Sequence, residues 1–297
     1  MPTSTILPRV TIGLPIYNGQ NYMVETLESI LSQTFADFEL IISDNASTDE
    51  TQAICREYAA RDSRIRYFRN EINIGASENY NRTFQLGRGA YFKWAAHDDV
   101  LAPTYLERCV EALEHDPDVV LAYAWAQEID SKGDVVGVYP HKQFHDSPVP
   151  RRRFFEFALD PVPIVAVFGL IRREILAQTR LIGKYSGSDR PLLTELSLLG
   201  KFHEVPEYLF FYRVHEDQSW GGSKSTHEQQ SWYDPRRAGK ITFPHWRLLR
   251  EHLLSIQRAP IGLKDRVSCY LFMGYWMAKN RRQLGRNLFL RDISYHT

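Results

Sequence analysis

Residues 10–45 of the chain read VTIGLPIYNGQNYMVETLESILSQTFADFELIISDN, with an apolar run near each end. The first run, RVTIGL over residues 9–14, stops at Pro15, and a proline suits the end of a strand. The second run, FELII over residues 38–42, indicates a buried strand. Apolar residues recur at helical spacing between the two runs. This stretch therefore predicts a strand, a helix and a second strand.

The same alternation of strand and helix continues to about residue 100. Further strands are predicted over residues 64–68 and 91–95, and each follows a helical pattern. Alternation at this pace is typical of a parallel sheet with helices on both faces. The sequence therefore predicts an α/β fold.

The pattern becomes mixed in the second half of the chain. We predict strands over residues 119–129, 135–138, 166–171 and 208–215, and helices over residues 103–115, 154–158 and 189–199. Residues 216–240 are polar and glycine-rich, which indicates a long loop or a plain linker, and we predict a mobile loop over residues 221–240. Helical patterns over residues 241–258 and 262–290 then predict a C-terminal helical extension.

The composition limits the classes of protein to which the chain can belong. Its 297 residues, 43% of them apolar, are enough for a substantial core. The 36 lysines and arginines balance 36 aspartates and glutamates, so no overall positive field would attract nucleic acid or an anionic membrane, and any basic surface must be local. Three widely spaced cysteines fit a reducing cytoplasm better than a disulfide framework. The sequence shows neither a signal-peptide pattern nor an apolar run of bilayer length.

Polar residues follow the predicted strands of the first hundred residues. In an open parallel sheet, ligands bind beyond the carboxyl ends of the strands. Those ends carry residues 15–18, 43–49, 73–75 and 97–99. Turn chemistry accounts for single Asn and Asp residues, but it does not account for two adjacent carboxylates after an apolar strand.

Those adjacent carboxylates, Asp98 and Asp99, are candidate ligands of a metal ion. They repel each other, and a divalent cation that prefers oxygen ligands would offset the repulsion. The pair therefore predicts a site for Mg²⁺ or Mn²⁺ with a bound diphosphate. Alternatively, one of the two caps the helix that starts near Pro103. The chain has no GxxxxGK[ST] segment and no GxGxxG segment, which disfavours a Walker ATPase and a dinucleotide enzyme.

Several motifs occur together in a specific order. The opening stretch continues as ASTDET, and NEINIGASENYN, WAAHDD, GSDRPLLTELSLLGKF and FYRVHEDQS follow along the chain. In this order they resemble the family 2 glycosyltransferases of bacterial type, which are inverting enzymes with the GT-A fold. The resemblance extends to about residue 220. It implies a Rossmann-like sheet that binds a nucleoside-diphosphate sugar.

The resemblance assigns several positions to the donor. The nucleotide-sugar-binding residues that it implies are Pro15, Tyr17, Asn18, Asp44, Asn73, Gly75, Asp98 and Arg213. Asp44 matches the acidic residue that approaches the nucleobase, where a carboxylate would accept a hydrogen bond from uracil or thymine. Guanine offers a similar donor, so the nucleotide stays open, with UDP and dTDP favoured over GDP.

The metal motif of the family, Asp-x-Asp, falls on residues 97–99. Its first position is His97 here, a departure that leaves Asp99 as the implied ligand of Mn²⁺ or Mg²⁺. Asp98 would then lie near the ribose or the sugar. His97 is expected to form a hydrogen-bonding wall.

Arg213 and His215 match the segment that follows the final strand of the family. Strand alternation places both side chains on one side, where Arg213 would meet a phosphate and His215 a metal ion or a phosphate. A lone histidine on a strand is otherwise an ordinary structural residue.

Asp189 is the candidate catalytic base. Inverting members of the family place a carboxylate just before a helix, usually written Glu-Asp, and Ser188 replaces the Glu here. The base is needed because an acceptor hydroxyl must lose a proton as it attacks the anomeric carbon. The alternative is that Asp189 only caps the following helix.

The end of the chain combines an apolar segment, residues 269–278, with a basic one around residues 279–291. This pattern is compatible with a helix on a membrane surface and also with a packed helix that has a solvated basic face. The localisation expected from this is cytoplasmic, with peripheral contact on the inner face of the membrane as one option.

The domain division that follows assigns residues 1–100 to nucleotide-sugar binding and 101–220 to acceptor binding, within one GT-A domain. Residues 221–240 form the loop and 241–297 the helical extension. The predicted function is a metal-dependent, inverting transfer of a sugar to a hydroxyl of a saccharide or lipid-linked saccharide, in surface polysaccharide or glycoconjugate synthesis. The alternatives are a non-catalytic nucleotide-sugar binding protein, since His97 and Ser188 depart from the family, and a sugar nucleotidyltransferase.

Overall fold

Strands and helices alternate strictly over the first hundred residues, as the sequence predicts. The computed structural model describes residues 7–139, 145–159, 164–216, 230, 232–237 and 243–289. The first elements are β1 (Val10–Ile16), α1 (Met23–Leu31), β2 (Phe38–Asp44), α2 (Thr51–Arg61), β3 (Ile65–Arg69), α3 (Ala76–Leu86) and β4 (Tyr91–Trp94). β2 is buried along its whole length, in keeping with its almost continuous apolar run.

The second half of the chain mixes short and long elements. They are β5 (Val100–Leu101), α4 (Tyr105–His115), β6 (Val119–Ile129), β7 (Val135–Val138), α5 (Pro150–Leu159), β8 (Leu170–Arg172), α6 (Arg173–Leu176), α7 (Asp189–Leu199) and β9 (Lys201–Arg213). Two 3-10 turns cover Ile164–Phe168 and Pro235–Arg237. The strand predicted over residues 166–171 is therefore wrong in its first half. Of the predicted loop over 221–240, only residues 230 and 232–237 belong to the described residues.

All nine described strands form one mixed sheet. Its order is β3-β2-β1-β4-β8-β6-β9-β5, and β7 pairs with β6 at the side. The first four strands in this order are parallel, whereas β8 runs antiparallel to both β4 and β6. The long strands β6 and β9 pair in parallel. The carboxyl ends of β1, β2, β4 and β9 consequently meet on one side of the sheet.

Pro15 shapes this side of the sheet. The structure continues β1 to Ile16, one residue beyond the proline that was expected to end it. β1 pairs with β2 over its whole length but with β4 only as far as Gly13. Because proline lacks a backbone N–H, it can sit in β1 only where no partner strand needs that donor. The proline thus marks the point where β1 and β4 separate.

The C-terminal helices form a second, smaller core. Helices α8 (Pro244–Arg258), α9 (Leu263–Lys279) and α10 (Arg281–Phe289) confirm the predicted helical extension. Their buried residues, among them Ile256, Met273 and Trp276, pack with residues of α5 and α7. The indole N–H of Trp276 also donates to the carbonyl of Ala158 at 3.0 Å. Within the part of the chain that the structure describes, no helix is long and apolar enough to cross a membrane.

Candidate active site

The segment after β1 is tied to the segment after β2. Asn18 has a left-handed backbone, with φ of 51°, a conformation that Asn tolerates better than most residues. Its backbone N–H donates to Ser47 Oγ at 2.9 Å, and its Oδ1 accepts from the backbone N–H of Thr48 at 2.8 Å. Tyr17 projects outward and is 42% exposed. Of the two predicted donor residues in this turn, Asn18 fixes the loop and Tyr17 faces solvent.

Asp44 lies at the end of β2 and is fully buried. Its Oδ1 accepts from the backbone N–H of Ser47 at 2.8 Å. Its Oδ2 accepts from the Tyr67 hydroxyl at 2.8 Å and from Arg69 Nη1 at 2.7 Å. A nucleobase would therefore reach this carboxylate only after Tyr67 or Arg69 moved, so the base contact of Asp44 stays a prediction.

Asn73 and Gly75 belong to a turn that is held by Asn45. The Nδ2 group of Asn45 donates to Asn73 Oδ1 at 2.9 Å, and the N–H of Gly75 donates to the same oxygen at 2.8 Å. Gly75 has a φ of 86°, and a Cβ there would lie 2.7 Å from the carbonyl oxygen of Tyr233. Only glycine suits this position, because both the backbone conformation and the space exclude a side chain.

Asp99 is 4% exposed and has one carboxylate oxygen without a partner. Its Oδ1 accepts from the backbone N–H of Arg213 at 3.0 Å, and its carbonyl accepts from the Thr26 hydroxyl at 2.8 Å. Its Oδ2 is buried and accepts no hydrogen bond. Burial and the adjacent charge of Asp98 raise the pKa of Asp99 well above its ordinary value. A buried, unpaired carboxylate oxygen is costly in a folded protein, so this one is a candidate for binding a ligand.

Asp98 lies against the end of β9. His215 Nε2 is 3.0 Å from Asp98 Oδ2, and Arg213 Nε donates to the Asp98 carbonyl at 2.9 Å. Burial alone would raise the pKa of Asp98, but the hydrogen bond from His215 brings it below its ordinary value. Arg213 and His215 therefore meet at Asp98, as strand alternation suggested. The His97 ring lies against the turn after β1, since a Cβ on Gly19 would lie 2.7 Å from it, and His97 also lowers the pKa of Asp98.

Arg213 is only 1% exposed, and its guanidinium forms hydrogen bonds with other groups of the protein. Besides its bond to Asp98, Nη1 donates to the carbonyl of Asp130 at 2.8 Å and Nη2 pairs with Glu25. The guanidinium carbon also lies 4.9 Å from the centre of the Tyr22 ring, in cation–π geometry. The predicted phosphate contact of Arg213 would require some of these bonds to break. Its observed contacts join α1, β9 and the segment after β4.

Asp189 is the first residue of α7. Ser188 occupies the N-cap position and makes no capping hydrogen bond with its side chain. The alternative that Asp189 only caps the helix is thus wrong, because α7 begins at Asp189 itself and Ser188 occupies the cap position. Burial raises the pKa of the Asp189 carboxyl above its ordinary value of 3.8.

Two tyrosines that the sequence analysis did not single out lie near the candidate carboxylates. The charge of Asp189 adds to burial in raising the pKa of Tyr233. The charges of Asp98 and Asp99 act in the same direction on Tyr80, which is partly buried. Such interactions weaken with distance, so Tyr233 lies near Asp189, and Tyr80 lies near the acidic pair. Tyr80 lies within the NEINIGASENYN segment, whereas Tyr233 belongs to no local motif that could have revealed its role.

A metal ion at this site would need ligands from the end of β4. Among the described residues, no three side chains of His, Cys, Asp or Glu already form a metal-binding cluster. The donor set that is present nevertheless has the right chemistry, with the unpaired Oδ2 of Asp99 and with Asp98 and His215 beside it. Carboxylate oxygens suit Mg²⁺ and Mn²⁺, and the diphosphate of a nucleotide commonly supplies further ligands.

Comparison with solved structures identifies the fold. The chain is similar to Staphylococcus aureus TarS residues 1–349 in complex with UDP, with a TM-score of 0.56 and 14% identity over 97% of this chain and 94% of the other. It is also similar to the mannosyltransferase PcManGT of Pyrobaculum calidifontis in complex with GDP-Man and Mn²⁺, with a TM-score of 0.54 and 18% identity over 96% and 86% of the two chains. The mixed sheet is therefore the GT-A fold that the sequence predicts.

Sequence comparison identifies the family. An uncharacterized glycosyltransferase of Methanocaldococcus jannaschii is 28% identical over 211 residues, which cover 70% of this chain and 71% of that protein. Chondroitin synthase of Escherichia coli is 34% identical over 130 residues, which cover 44% of this chain and 19% of that protein. Residues 11–179, more than half of the chain, match the sequence profile of glycosyl transferase family 2. The chain is therefore a glycosyltransferase and belongs to family 2.

Proposed function

We propose that the protein transfers a sugar from a nucleoside-diphosphate sugar to a hydroxyl of a saccharide or lipid-linked saccharide, with inversion, in surface polysaccharide or glycoconjugate synthesis. The observation that carries this proposal is the buried Oδ2 of Asp99, which has no hydrogen-bond partner and lies next to the contact between Asp98 and His215 at the end of β4. This arrangement suits the binding of a diphosphate with a divalent cation, and Asp189 at the start of α7 suits a base.

Asp189 is the general base in this proposal. The raised pKa makes its carboxylate a stronger base than an exposed aspartate, which favours removal of the proton from the acceptor hydroxyl during attack. Because the hydroxyl attacks the anomeric carbon directly and the nucleoside diphosphate leaves from the opposite side, a single displacement inverts the configuration. Tyr233 lies near this carboxylate.

The donor nucleotide lies along the carboxyl ends of β1, β2 and β4 in this proposal. The turns at Asn18, Asp44 and Asn73 are held together by hydrogen bonds within the protein, so a nucleotide meets a preformed surface. TarS has been solved with UDP and with UDP-GlcNAc, and PcManGT with GDP-Man. These complexes support a nucleotide-sugar donor on this fold, and we favour UDP or dTDP over GDP.

The diphosphate is held with a divalent cation, Mn²⁺ or Mg²⁺. Asp99 would hold the ion through its unpaired Oδ2, with Asp98 and His215 beside it. When bound, the ion stabilises the negative charge of the departing nucleoside diphosphate. The PcManGT complex, which contains Mn²⁺, supports this assignment.

The test is release of nucleoside diphosphate from donor sugars. The protein is incubated with UDP-GlcNAc, dTDP-glucose or GDP-mannose in the presence of Mn²⁺, and the free diphosphate is measured with and without saccharide acceptors. A glycosyltransferase slowly hydrolyses its donor even without acceptor, and NMR of the transferred sugar reports whether its configuration is inverted. Binding of a donor without any release or transfer would instead indicate a non-catalytic nucleotide-sugar binding protein.

A further inference from the structure

Helix α9 is apolar on two sides, although only one side is packed. Cys269, Met273 and Trp276 face the second core and are buried. Asp265, in the first turn, pairs with Arg151 of α5 and fixes the same side of the helix. The opposite side is largely exposed, and it too consists largely of apolar side chains.

The exposed apolar side forms a stripe along the helix. It consists of Leu263, Val267, Tyr270, Leu271, Tyr275 and Met277, and the two leucines are 77% and 73% exposed. The spacing of three, four and eight residues keeps most of these side chains on one face of the helix. Tyr270 also lines a groove of about 440 Å³ against α8, together with Trp246 and Leu253. The apolar surface therefore extends from α9 onto α8.

The surroundings of this stripe are strongly basic. Residues 243–289 contain nine lysines and arginines and two carboxylates, Glu251 and Asp265, for a formal charge of +7 in a chain whose total is zero. Both carboxylates are paired with arginines. Lys279, Arg281 and Arg282 are exposed directly after the end of the stripe. An apolar stripe with tyrosines and an unpaired basic border is complementary to an anionic lipid surface.

We propose that α9 and the start of α10 bind the surface of an anionic membrane, with the stripe among the acyl chains and the basic residues at the headgroups. Charge decides between this partner and a second copy of the chain. Two copies that met through this face would bring two +7 regions together, whereas an anionic bilayer neutralises them. No residue of this surface belongs to the candidate active site, so the proposal does not rest on the proposed function.

The test is co-sedimentation of the full chain with lipid vesicles. Vesicles of phosphatidylcholine alone are compared with vesicles that also contain phosphatidylglycerol, each at low and at high salt. The protein is expected to sediment with the anionic vesicles at low salt and to be released by high salt, because surface charges are screened. Equal binding to both vesicles, or no binding to either, would overturn the proposal.

Two variants separate the apolar and basic contributions. Leu271→Glu is expected to reduce binding at least about tenfold, since it removes an inserted side chain and adds a repelled charge. The matched control is Val136→Glu, an equally polar change at a position that is 59% exposed on β7. It should leave vesicle binding unchanged.

The basic contribution is tested with three substitutions made together, Arg281→Gln, Arg282→Gln and Arg286→Gln. Each arginine near an anionic surface contributes about fivefold to partitioning, so about a hundredfold loss is expected. The control removes the same charge elsewhere, with Arg56→Gln, Arg61→Gln and Arg108→Gln. Equal losses in both sets would show a net-charge effect and contradict a local site.

Light scattering of the free protein completes the test. A dimer that Leu271→Glu converts to a monomer would show that the stripe joins two copies of the chain and would overturn the membrane assignment. A monomer that binds anionic vesicles supports it.

Discussion

Asp44 lies at the end of β2, and Asp99 follows β4 at the same edge of the sheet. Both side chains are buried, but the groups that surround them differ. Asp44 receives three hydrogen bonds from protein groups, one of them from a guanidinium. Asp99 receives one, lies next to another carboxylate, and leaves Oδ2 without a partner. The first arrangement stabilises the folded chain. The second opposes ionisation of Asp99 and destabilises the folded chain when no ligand is bound.

This difference separates two roles for polar residues in one cleft. Polar side chains at the ends of β1 and β2 form hydrogen bonds with other groups of the protein, as Asn18 does with Thr48 and Asn45 with Asn73. These bonds make this part of the cleft rigid. Asp99 after β4 and Asp189 at the start of α7 have raised pKa values, which is typical of groups that react with or bind a ligand. Substitutions at the two kinds of position should therefore have opposite consequences for stability and for activity.

The largest effect is expected at Asp189. Asp189→Asn keeps the shape of the side chain and removes its basicity, so sugar transfer should fall by about 10²–10⁴-fold while the donor Kd changes by no more than a few-fold. The measurement is the initial rate of transfer to a saccharide acceptor, together with calorimetric titration of the donor.

Asp118→Asn is the matched control, since Asp118 is exposed and lies at the opposite side of the sheet, before β6. It should transfer at the wild-type rate. Near-wild-type transfer by Asp189→Asn would remove Asp189 from the chemistry and leave it as an acidic residue in the first turn of a helix.

Lys93 extends the comparison to a buried cation. Its Nζ donates to the carbonyl of Phe168, and burial lowers its pKa from 10.5 to about 8. Between these two pH values the unfolded chain holds a proton on this lysine that the folded chain lacks, so Lys93 by itself contributes a rise of about 3 kcal/mol in the free energy of unfolding. The buried thiols of the three cysteines, whose pKa values are raised to about 12, act in the opposite direction. The contribution of Lys93 is therefore measured as the difference between wild type and Lys93→Met in urea denaturation at pH 7 and at pH 10.5.

Lys93→Met should lack this contribution, so its change in the free energy of unfolding between the two pH values should be about 3 kcal/mol less favourable than that of wild type, and it should be at least as stable as the wild type at pH 7. The Phe168 carbonyl keeps a donor in this variant, because the Tyr105 hydroxyl lies 3.1 Å from it. Lys132→Met, at an exposed turn, serves as the control and should retain the wild-type slope. The interpretation fails if the slopes of wild type and Lys93→Met are the same.

Asp44→Asn tests the aspartate whose two carboxylate oxygens both accept hydrogen bonds. The variant loses the charge that pairs with Arg69 and leaves the Tyr67 hydroxyl with a weaker acceptor. The free energy of unfolding should drop by roughly 2 kcal/mol, as expected when a hydrogen-bonded, buried charge loses its partner. An unchanged urea midpoint would mean that these contacts contribute nothing to stability.

Local pattern was sufficient for most of the fold. The bounds of β6 and α7 agree with the sequence prediction because each is a long element with an uninterrupted pattern. The strand predicted over residues 166–171 was wrong before Leu170, because a 3-10 turn covers Ile164–Phe168. At Gly169, between the turn and β8, the backbone lies so close to β6 that a Cβ would be 2.8 Å from the carbonyl oxygen of Ala122. A count of apolar residues does not reveal such a contact.

The candidate site residues have signatures in the sequence, but their contacts do not. The acidic pair after β4 and the aspartate at the start of α7 are recognisable from local motifs. Glu25 is not, since it meets Arg213 across 188 positions of the chain. Tyr233 reaches the site from a segment without any regular pattern. Such partners follow from tertiary packing, which also determines that Asp44 is satisfied and Asp99 is not.

The central claim is that Oδ2 of Asp99, which has no hydrogen-bond partner, binds a metal ion together with a nucleoside diphosphate. The measurement is the thermal stability of wild type and Asp99→Asn with and without Mn²⁺ and the nucleoside diphosphate that the donor assay selects. Without ligand, we expect the variant to be at least as stable as wild type, because Asn keeps the acceptor for the Arg213 N–H and removes the repulsion from Asp98. With ligand at a hundred times its Kd, wild type should gain about 2.7 kcal/mol and the variant almost none. A variant that keeps the metal-dependent gain, or that is destabilised as strongly as Asp44→Asn, would contradict the account.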